Sequence, residues 1–360
     1  MNILFIGKRF YTKRDALLER YGRIYQLPYY WQKFGIDVTL WLLDYHGQDV
    51  VESASEEGLI IKSTPVRSWI FIRQLCRLMF ARGPRPQIIV ASGDCYIGLM
   101  ACLIAKRLKA KFVFDIYDKY DEFPGYRDLL GLDLFRFLRN KADVCFFASR
   151  ILPDLLGGYR PTDLIVANGV DTKHFRSLGK DECRKLLGIE TEAYLVGYFG
   201  SMEPDRGIDD LLEAITILRG QDIFIRLIIA GKTDQQMKLE RDDVIYLGDI
   251  PYQQMPKVLA CCDVLALPYR RSAMMDAGAS NKIIEYIASG RPIAATRTPN
   301  LLANFIEDSD FVNSTAEPGN SKSLAQCIQS VLESPVKLNI PSGSAWPDVA
   351  SLALAHLQKI

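Results

Sequence analysis

Short apolar runs alternate along the chain with longer stretches in which apolar residues recur every three or four positions. In the first half, apolar runs at 3–6, 38–42, 88–90, 112–115, 144–148 and 164–166 predict strands. The intervening stretches at 21–34, 69–80, 96–108 and 132–140 predict helices. Strands that alternate with helices indicate a doubly wound parallel sheet. We therefore predict an α/β domain of Rossmann type over residues 1–178.

The same alternation starts again after a polar helical stretch at 180–187. Five further runs predict strands at 195–199, 224–230, 244–247, 264–267 and 292–295. The predicted helices lie at 208–218, 252–260, 281–288 and 321–332. A second domain of the same class is therefore predicted over 179–345. Parallel sheets bind ligands at the carboxyl ends of their strands, and a cleft between two such ends is where we expect function.

The net charge is nearly zero, but it is unevenly distributed. The 44 Lys and Arg residues balance 43 Asp and Glu residues, which argues against a dedicated nucleic-acid binder. Residues 1–180 carry 27 basic and 19 acidic residues, or +8, whereas residues 181–360 carry 17 and 24, or −7. The two halves therefore differ in the sign of their net charge, and we expect them to bind different partners.

Cysteine and histidine usage indicates a reducing compartment and no histidine-rich metal site. The eight cysteines form no C-x-x-C pair, and the three histidines stand far apart. The first ten residues read as a strand rather than as a signal peptide. The most apolar longer window, 88–105, is interrupted by Ser92, Gly93 and Asp94, which predicts a strand, a turn and a helix. We expect a cytoplasmic protein.

The first candidate ligand site follows the strand at 195–199. The stretch holds Gly200 and Gly207 before an amphipathic helix, with Arg206 between them. Glycines permit close backbone approach and the amides at a helix start favour an anion, so this loop could hold phosphate oxygens. A tight turn with a solvated arginine is the alternative. Neither half of the chain contains G-x-G-x-x-G with its distal acidic residue or a G-x-x-x-x-G-K-[ST] loop.

The second candidate site is the stretch 276–292. Ser280 or Asn281 is predicted to cap a helix on which Lys282 and Glu285, three residues apart, share one face. A cation and a carboxylate can then meet one ligand. The alternative is a surface ion pair, which is normally worth less than about 1 kcal/mol.

Four stretches in this order, at 167–175, 200–214, 247–250 and 281–292, resemble the successive signatures of retaining glycosyltransferases of family 4, within glycosyltransferase group 1. The resemblance extends over the whole chain. It implies the GT-B fold, in which two Rossmann-like domains face each other across a cleft, with a last segment, 346–360, whose helix crosses back to the first domain. It also implies a nucleotide-diphosphate sugar as co-substrate, with no metal and no other cofactor.

The resemblance also assigns the donor site to the C-terminal domain. Arg206 matches the basic residue that contacts the diphosphate, and Lys282 lies near the phosphates. Glu285 matches the second Glu of a Glu-x7-Glu motif that binds the ribose hydroxyls. The predicted donor-binding set is completed by the backbone near Ile250, which is similar to the part that reads the base, and by Gly200, Ser201, Asp276 and Asn281.

Two positions depart from the family pattern. Ala277 stands where the first Glu of the motif is expected, so Asp276 is the candidate to replace it. Ser201 stands where a second basic residue often follows the glycine, which leaves Arg206 with more of the phosphate charge.

An acidic segment at 114–123 follows a predicted strand in the first domain. By resemblance to a subset of the family, Asp118 and Asp121 are candidates for contact with the acceptor hydroxyl or the donor sugar. A solvated acidic loop is the alternative. The implied reaction has the acceptor oxygen attack from the face that the diphosphate leaves, with Arg206 and Lys282 stabilising the departing charge.

Basic residues are concentrated near two parts of the first half. Arginines interleave with apolar residues at 67–85, a pattern that fits either an anionic membrane surface or a packed helix with a solvated edge; they are Arg67, Arg73, Arg77, Arg82 and Arg85. A second group suggests a lipid-diphosphate or other anionic acceptor and comprises Lys8, Arg9, Lys13, Arg14, Arg20 and Arg23.

The sequence thus predicts a retaining glycosyltransferase that transfers a sugar to a polysaccharide, lipid-linked or glycolipid acceptor, in the cytoplasm or at the inner face of a membrane. Two alternatives remain open. A catalytically silent GT-B subunit would scaffold a partner enzyme, and it is suggested by the missing first Glu and by the absence of the His that many relatives carry just after the strand that precedes the acidic segment. A non-hydrolysing sugar-nucleotide epimerase would share the fold, although the 168–171 and 281–286 stretches look like transferase motifs.

Overall fold

The computed structural model describes residues 1–11, 14–47, 50–54, 58–80, 85–123, 125–128, 131–189, 191–232, 239–305, 311–312 and 314–360. The chain forms two compact units. The first contains Met1–Gly169, Ala277–Ala279 and Gly343–Ile360, and the second contains Val170–Asp276 and Ser280–Ser342. The first unit thus ends at Gly169 rather than at the predicted residue 178, and it takes in a short segment of the predicted donor domain.

The first unit is built on an eight-stranded sheet in the order β10-β9-β8-β7-β1-β4-β6-β5, with β5 antiparallel to β6 and the other neighbours parallel. The small pair β2 and β3 is separate and antiparallel. In chain order the strands are β1 (Asn2–Lys8), β2 (Phe10–Tyr11), β3 (Arg14–Asp15), β4 (Asp37–Asp44), β5 (Val51–Ala54), β6 (Ile60–Pro65), β7 (Ile88–Ser92), β8 (Lys111–Ile116), β9 (Val144–Phe147) and β10 (Leu164–Ile165).

The second unit has a five-stranded parallel sheet in the order β13-β12-β11-β14-β15. Its strands are β11 (Tyr194–Phe199), β12 (Ile225–Ala230), β13 (Val244–Tyr246), β14 (Val264–Leu267) and β15 (Ile293–Ala295), and all five were predicted. The chain runs from β11 to one edge of the sheet and then returns to β14 on the other side of β11. Ligands bind at such a switch in strand order, so the loops after β11 and β14 form the expected site.

The helices flank these two sheets. In chain order they are α1 (Gly22–Lys33), α2 (Trp69–Phe80), α3 (Cys95–Leu108), α4 (Leu134–Lys141), α5 (Leu152–Leu155), α6 (Lys180–Leu186), α7 (Ile208–Arg219), α8 (Met255–Ala260), α9 (Ala273–Ala277), α10 (Asn281–Ser289), α11 (Pro299–Phe305), α12 (Ser321–Glu333) and α13 (Trp346–Leu357). The last helix packs on α1 inside the first unit, where the indole of Trp31 donates to the carbonyl of Ala350 at 2.8 Å.

The apolar window at 88–105 is a strand, a turn and a helix, as the sequence predicts. Asp94 caps α3 by accepting from the backbone amides of Tyr96 and Ile97 at 3.0 and 2.9 Å. This cap ends the possibility of a continuous apolar helix through the window. Among the helices that the structure describes, none has the length and apolar character needed to span a bilayer.

Candidate functional site

Two glycines bring the loops after β11 and β12 together. Gly200 has φ +142°, and its amide donates to the carbonyl of Ala230 at 2.8 Å. Gly231 has φ +137°, and a Cβ added there would lie 2.0 Å from the carbonyl oxygen of Gly200. Side chains rarely adopt these backbone angles, and a Cβ has no room at this distance. Glycine at both positions therefore opens the strand ends to a close approach.

The side chain that approaches Gly200 is Lys282, from the first turn of α10. A Cβ on Gly200 would lie 1.9 Å from Cε and 2.5 Å from Nζ of Lys282. The ammonium also lies 5.6 Å from the ring centroid of Tyr198, within cation–π distance. Tyr198 is fully buried and donates from its hydroxyl to the Ser201 carbonyl at 2.6 Å. Burial holds the pKa of Tyr198 well above its ordinary value, so this tyrosine stays neutral.

Arg206 comes to the same place from the other end of the loop. It ends a 3-10 turn, Pro204–Arg206, and its guanidinium carbon lies 5.4 Å from the ring centroid of Tyr269. Its Nε donates to Glu203 at 3.3 Å, and Glu203 also accepts from the Ser201 hydroxyl at 2.7 Å. The Arg206 side chain is 17% exposed. Burial alone would lower its pKa, but Tyr269, Tyr198 and Glu203 outweigh burial and raise it.

The loop is held in place by the strand-end loop beside it. Gly207 has φ +68°, and a Cβ there would lie 1.8 Å from the carbonyl oxygen of Pro268, which follows β14. Arg270 makes a two-pronged ion pair with Asp210 at 2.6 and 2.7 Å, and its amide donates to the carbonyl of Asp205 at 2.9 Å. Paired contacts of this kind fix geometry as well as supply energy. The start of α7 and the end of β14 are thus joined.

The start of α10 differs in one detail from the sequence prediction. Ser280 stands at the N-cap, but its side chain makes no capping bond. Its hydroxyl instead pairs with the hydroxyl of Tyr269 at 3.1 Å. Tyr269 is the ring that underlies Arg206, so the serine supports the loop rather than its own helix. Ser280 therefore takes the predicted N-cap position and the helix begins where predicted, although the serine side chain makes no capping bond.

Lys282 and Glu285 lie on one side of α10 and reach different partners. Lys282 points to Gly200, whereas Glu285 accepts from the hydroxyl of Tyr252 at 3.4 Å. The ring of Tyr252 lies against two residues of the 167–175 stretch, His174 at 5.2 Å and Phe175 at 5.5 Å between centroids. His174 Nε2 also lies 3.2 Å from the Tyr252 carbonyl oxygen. Glu285 thus sits half-buried beside an aromatic cluster.

The remaining predicted donor residues lie around this centre. Both carboxylate oxygens of Asp276 accept from Nε of Arg271 at 2.8 Å, so the candidate replacement for the missing Glu is held in an ion pair. Ala277, where that Glu was expected, is fully buried. Asn281 is buried at the first position of α10, and Ile250 packs against the core of the second unit.

The acidic segment of the first unit follows β8 and is partly neutralised from within. Lys119 Nζ lies 2.7 Å from a carboxylate oxygen of Asp121 and 3.0 Å from one of Glu122. Burial lowers the pKa of Lys119, but the hydrogen bonds to these carboxylates outweigh burial. The net pKa lies above its ordinary value, so the ammonium form is stabilised. Asp118 accepts from the Lys119 amide at 3.0 Å. Asp118 and Asp121 both lie in the first unit.

A buried ion pair in the first unit overturns part of the predicted basic surface. Arg23 is fully buried and pairs with Asp115 at 2.6 and 3.0 Å. It also donates to the Asn168 side chain at 2.9 Å, and Asn168 donates to the carbonyl of Ala279 at 2.8 Å. Ser92 donates to Asp115 at 2.6 Å. Arg23 is therefore a structural residue that fixes the segment just before α10, and it does not bind an anionic acceptor.

Two further members of that basic group are also in ion pairs. Arg9 pairs with Asp15 at 2.9 Å and with Asp44 at 3.0 Å, and Arg14 pairs with Glu19 at 2.6 Å. Arg9 and Arg14 thus share their charge with neighbouring carboxylates, and the predicted site for an anionic acceptor stays a prediction. Arg20 is exposed. Lys8 lies 5.3 Å from the ring of Tyr45 and 5.7 Å from that of Phe123, and Lys13 lies outside the described residues.

The fold is that of the GT-B glycosyltransferases, which confirms the predicted pair of Rossmann-like domains. The Anabaena protein Alr3699/HepE, solved in complex with UDP and glucose, is 14% identical with a TM-score of 0.75, over the full length of both chains. Sucrose-phosphate synthase from Thermosynechococcus elongatus is 17% identical with a TM-score of 0.71, over 99% of this chain and 97% of that one. Likeness at these identities establishes the fold alone.

Residues 193–334 match the family described as Glycosyl transferases group 1. A 2-deoxystreptamine glucosyltransferase of Streptomyces kanamyceticus is 23% identical over 246 residues, 62% of either chain. A GDP-mannose-dependent monoacylated alpha-(1-6)-phosphatidylinositol monomannoside mannosyltransferase of Corynebacterium glutamicum is 29% identical over 149 residues, 38% of this chain and 39% of that one. The matches thus cover less than two thirds of these relatives. The matched family segment contains the loops after β11 and β14 and the first turn of α10.

Proposed function

We propose that the chain is a retaining glycosyltransferase of family 4 that uses a nucleotide-diphosphate sugar. The observation that carries the proposal is the position of the Lys282 ammonium over Gly200, at the switch point of the second sheet. A cation beside a glycine at the carboxyl end of a parallel sheet can meet the same phosphate oxygens as the backbone amides of the loop. The proposed donor contacts are Gly200, Ser201, Arg206, Ile250, Asp276, Asn281, Lys282 and Glu285.

The proposed chemistry is electrostatic. When the bond between sugar and diphosphate breaks, negative charge develops on the leaving phosphate, and Arg206 and Lys282 stabilise it. Preorganised charges of this kind commonly contribute more to catalysis than any other single effect. The acceptor oxygen attacks from the same face, which retains the configuration of the sugar. Asp118 and Asp121 are proposed to contact the acceptor hydroxyl or the donor sugar.

Glu285 is proposed to bind the ribose hydroxyls of the donor. A carboxylate accepts from both hydroxyls of a diol, and the Tyr252 hydroxyl at 3.4 Å orients it from the other side. The two cations supply the charge that a metal would otherwise provide, so we propose a metal-independent reaction. Among the described residues, no group of three or more His, Cys, Asp or Glu side chains is arranged to hold a metal.

We propose that the acceptor is a polysaccharide, a lipid-linked saccharide or a glycolipid, met in the cytoplasm at the inner face of a membrane. The name of the Corynebacterium relative, with its acylated phosphatidylinositol acceptor, supports a lipid acceptor. All eight cysteines fall within the described residues, and each is a free thiol, which supports a reducing compartment.

The test is to incubate the purified full-length chain with UDP-, GDP- and ADP-sugars and to follow nucleotide release with and without an acceptor extract. Thermal-shift screening precedes it, because a ligand at 100 times its Kd stabilises by about 2.7 kcal/mol. We expect one nucleotide class to stabilise the chain, acceptor-dependent release that persists in EDTA, and a product with the anomeric configuration of the donor by NMR. Nucleotide binding without turnover would indicate the silent subunit, and an acceptor-independent change of the sugar would indicate the epimerase.

A further inference from the structure

Helix α2, Trp69–Phe80, presents an unusual face to solvent. None of its twelve residues is buried. Its most exposed positions recur at helical spacing and form one continuous face that comprises Trp69, Ile72, Arg73, Cys76, Arg77 and Phe80. Trp69 is 66% exposed, Ile72 62% and Phe80 66%. The solvent-facing side of an ordinary surface helix is polar, whereas the solvent-facing side of this helix carries three large apolar side chains.

The opposite face of α2 attaches it to the first unit. The ring of Phe71 lies 5.9 Å from that of Trp41, and Gln74 accepts from the Thr64 hydroxyl at 2.6 Å. The helix is thus already packed by Phe71 and Gln74. Its outward apolar residues are therefore not needed to pack the helix on the first unit, and they form a separate exposed surface.

The exposed surface extends onto the neighbouring helix α3. The guanidinium of Arg107 lies over the ring of Phe80 at 5.4 Å, and Leu103, one turn earlier on α3, is 55% exposed. The guanidinium of Arg73 lies over the ring of Trp69 at 5.6 Å. Arginine and large apolar groups therefore alternate across both helices. We call the surface formed by the exposed face of α2 together with Leu103 and Arg107 the α2–α3 face.

The chain segment that contains α2 carries charge of one sign. Residues 58–93 contain no Asp or Glu. They contain six basic residues, namely Lys62, Arg67, Arg73, Arg77, Arg82 and Arg85. Arg82 lies outside the described residues. Within the part of the chain that the structure describes, neither Arg73 nor Arg77 is within ion-pair distance of a carboxylate. The face is complementary to a surface that is both anionic and apolar just beneath its charge.

We propose that the α2–α3 face docks on an anionic lipid membrane, with α2 lying in the plane of the interface. A bilayer offers phosphate groups above hydrocarbon, so arginines meet headgroups while tryptophan and aliphatic side chains enter the boundary layer. An acidic protein would satisfy the arginines but would offer no general place for Trp69, Ile72 and Phe80 together. The docking deepens the proposed function, in which the acceptor is met at the inner face of a membrane, but it does not depend on which donor is used.

The four tryptophans make the proposal directly measurable. Trp31, Trp41 and Trp346 are buried, and Trp69 is exposed. A blue shift of the intrinsic emission on vesicle binding therefore reports on Trp69. The full-length chain is mixed with vesicles of equal parts phosphatidylglycerol and phosphatidylcholine, or of phosphatidylcholine alone, and followed by flotation and fluorescence. Ionic strength is set at about 0.01 M and about 1 M, where the Debye length is about 30 and 3 Å.

We expect flotation with anionic vesicles at low salt, loss at high salt, and none with phosphatidylcholine alone. The emission should shift to the blue, and the Trp69→Phe variant should float without that shift. Each arginine near an anionic surface is worth about a fivefold change in binding, so Arg73→Glu with Arg77→Glu should weaken binding by at least about 25-fold. The matched control reverses two exposed lysines on helices of the second unit, Lys185→Glu with Lys322→Glu.

Several results would overturn the proposal. No flotation at low salt would do so, and so would equal losses in the arginine pair and the lysine control. Flotation without a Trp69 shift would mean a purely electrostatic contact. A lipid-free dimer in sedimentation that the arginine pair dissociates would make the face an interface between copies of the chain. A circular-dichroism spectrum and a Tm equal to those of the parent show that the arginine pair is folded, and nucleotide binding measured separately keeps loss of docking distinguishable from loss of donor binding.

Discussion

Lys282 occupies the space in which any residue other than glycine at position 200 would place its side chain. Gly200 directly follows β11, and Lys282 lies in the first turn of α10. A Cβ atom added to Gly200 would lie only 1.9 Å from Cε of Lys282. A steric requirement thus links a loop glycine to a distant cation. The proposed donor site depends on this packing.

Gly200→Ala should displace Lys282 and strain the loop, since φ is +142° there. We expect nucleotide affinity to fall by about tenfold or more, because a charge-assisted bond is worth about 1.5 to 3 kcal/mol. Isothermal calorimetry measures it. The control is Gly319→Ala, which has φ +75° and open space around its Cβ position. Equal affinity in the Gly200 variant and the parent would show that Lys282 does not contact the donor.

Arg206→Ala should lower kcat/KM by about 10² or more, because it removes the charge that we propose stabilises the leaving group. Arg206→Lys should recover part of the loss, since the charge returns without the planar fork. Arg219→Ala is the matched control, because Arg219 is an exposed arginine whose partner is Asp242 at 2.9 Å. Steady-state kinetics with the preferred donor decides. Near-normal turnover in Arg206→Ala would place the phosphate elsewhere.

Glu285→Ala should weaken nucleotide binding by about 1.5 to 3 kcal/mol, the range for a hydrogen bond to a charged group. Tyr252→Phe, which removes only the hydroxyl at 3.4 Å, should have a smaller effect. Glu213→Ala, an exposed glutamate on α7, is the control. Calorimetry with the nucleoside diphosphate and with its 2′-deoxy form separates ribose contact from general charge. If both variants and the control bind alike, the ribose assignment is wrong.

Asp115→Asn should destabilise the first unit strongly, because it leaves the buried guanidinium of Arg23 without its counter-charge. Breaking one side of a buried ion pair costs about 3 to 5 kcal/mol. The double change Arg23→Met with Asp115→Leu should lose less, since it leaves no buried charge. Urea unfolding followed by circular dichroism measures both. A single variant as stable as the parent would contradict the structural role assigned to Arg23.

Acid should weaken the second unit through Asp263. Burial raises the pKa of this carboxyl, but Lys180 at 2.7 Å, the amide of Leu195 and Arg184 at 2.7 Å outweigh burial, and the net pKa lies below its ordinary value. A carboxyl group whose pKa is lower in the folded than in the unfolded protein stabilises the folded state above about pH 4. This stabilisation is lost as the pH falls through the pKa of the folded state. Asp263→Asn should therefore lower stability at pH 7 by about 2 kcal/mol.

The difference between Asp263→Asn and the parent should shrink as the pH falls below about 4. Unfolding in urea at several pH values tests it. Asp222→Asn, which removes an exposed carboxylate in the same unit, is the control. A gap between Asp263→Asn and the parent that stays constant down to about pH 3 would contradict the assigned ion pairs.

Most of the strands and helices could be predicted from the sequence. Continuous apolar runs identify buried parallel strands, and all five strands of the second sheet were found in this way. Strand β6, Ile60–Pro65, was missed because its buried positions include Ser63 and Thr64. Their hydroxyls are satisfied by Arg9 and by the indole of Trp41, and these partners lie too far along the chain for periodicity to indicate them.

Which charged side chains are available to a ligand depends on the tertiary structure. In the sequence Arg23 and Arg73 look alike, two arginines among apolar residues. The fold buries Arg23 against Asp115 and leaves Arg73 on an outward face beside Trp69. Local patterns specify backbone geometry because they depend on near neighbours, whereas an ion pair depends on residues brought together from distant elements. The roles of the basic residues were therefore decided by packing, as was the approach of Lys282 to Gly200.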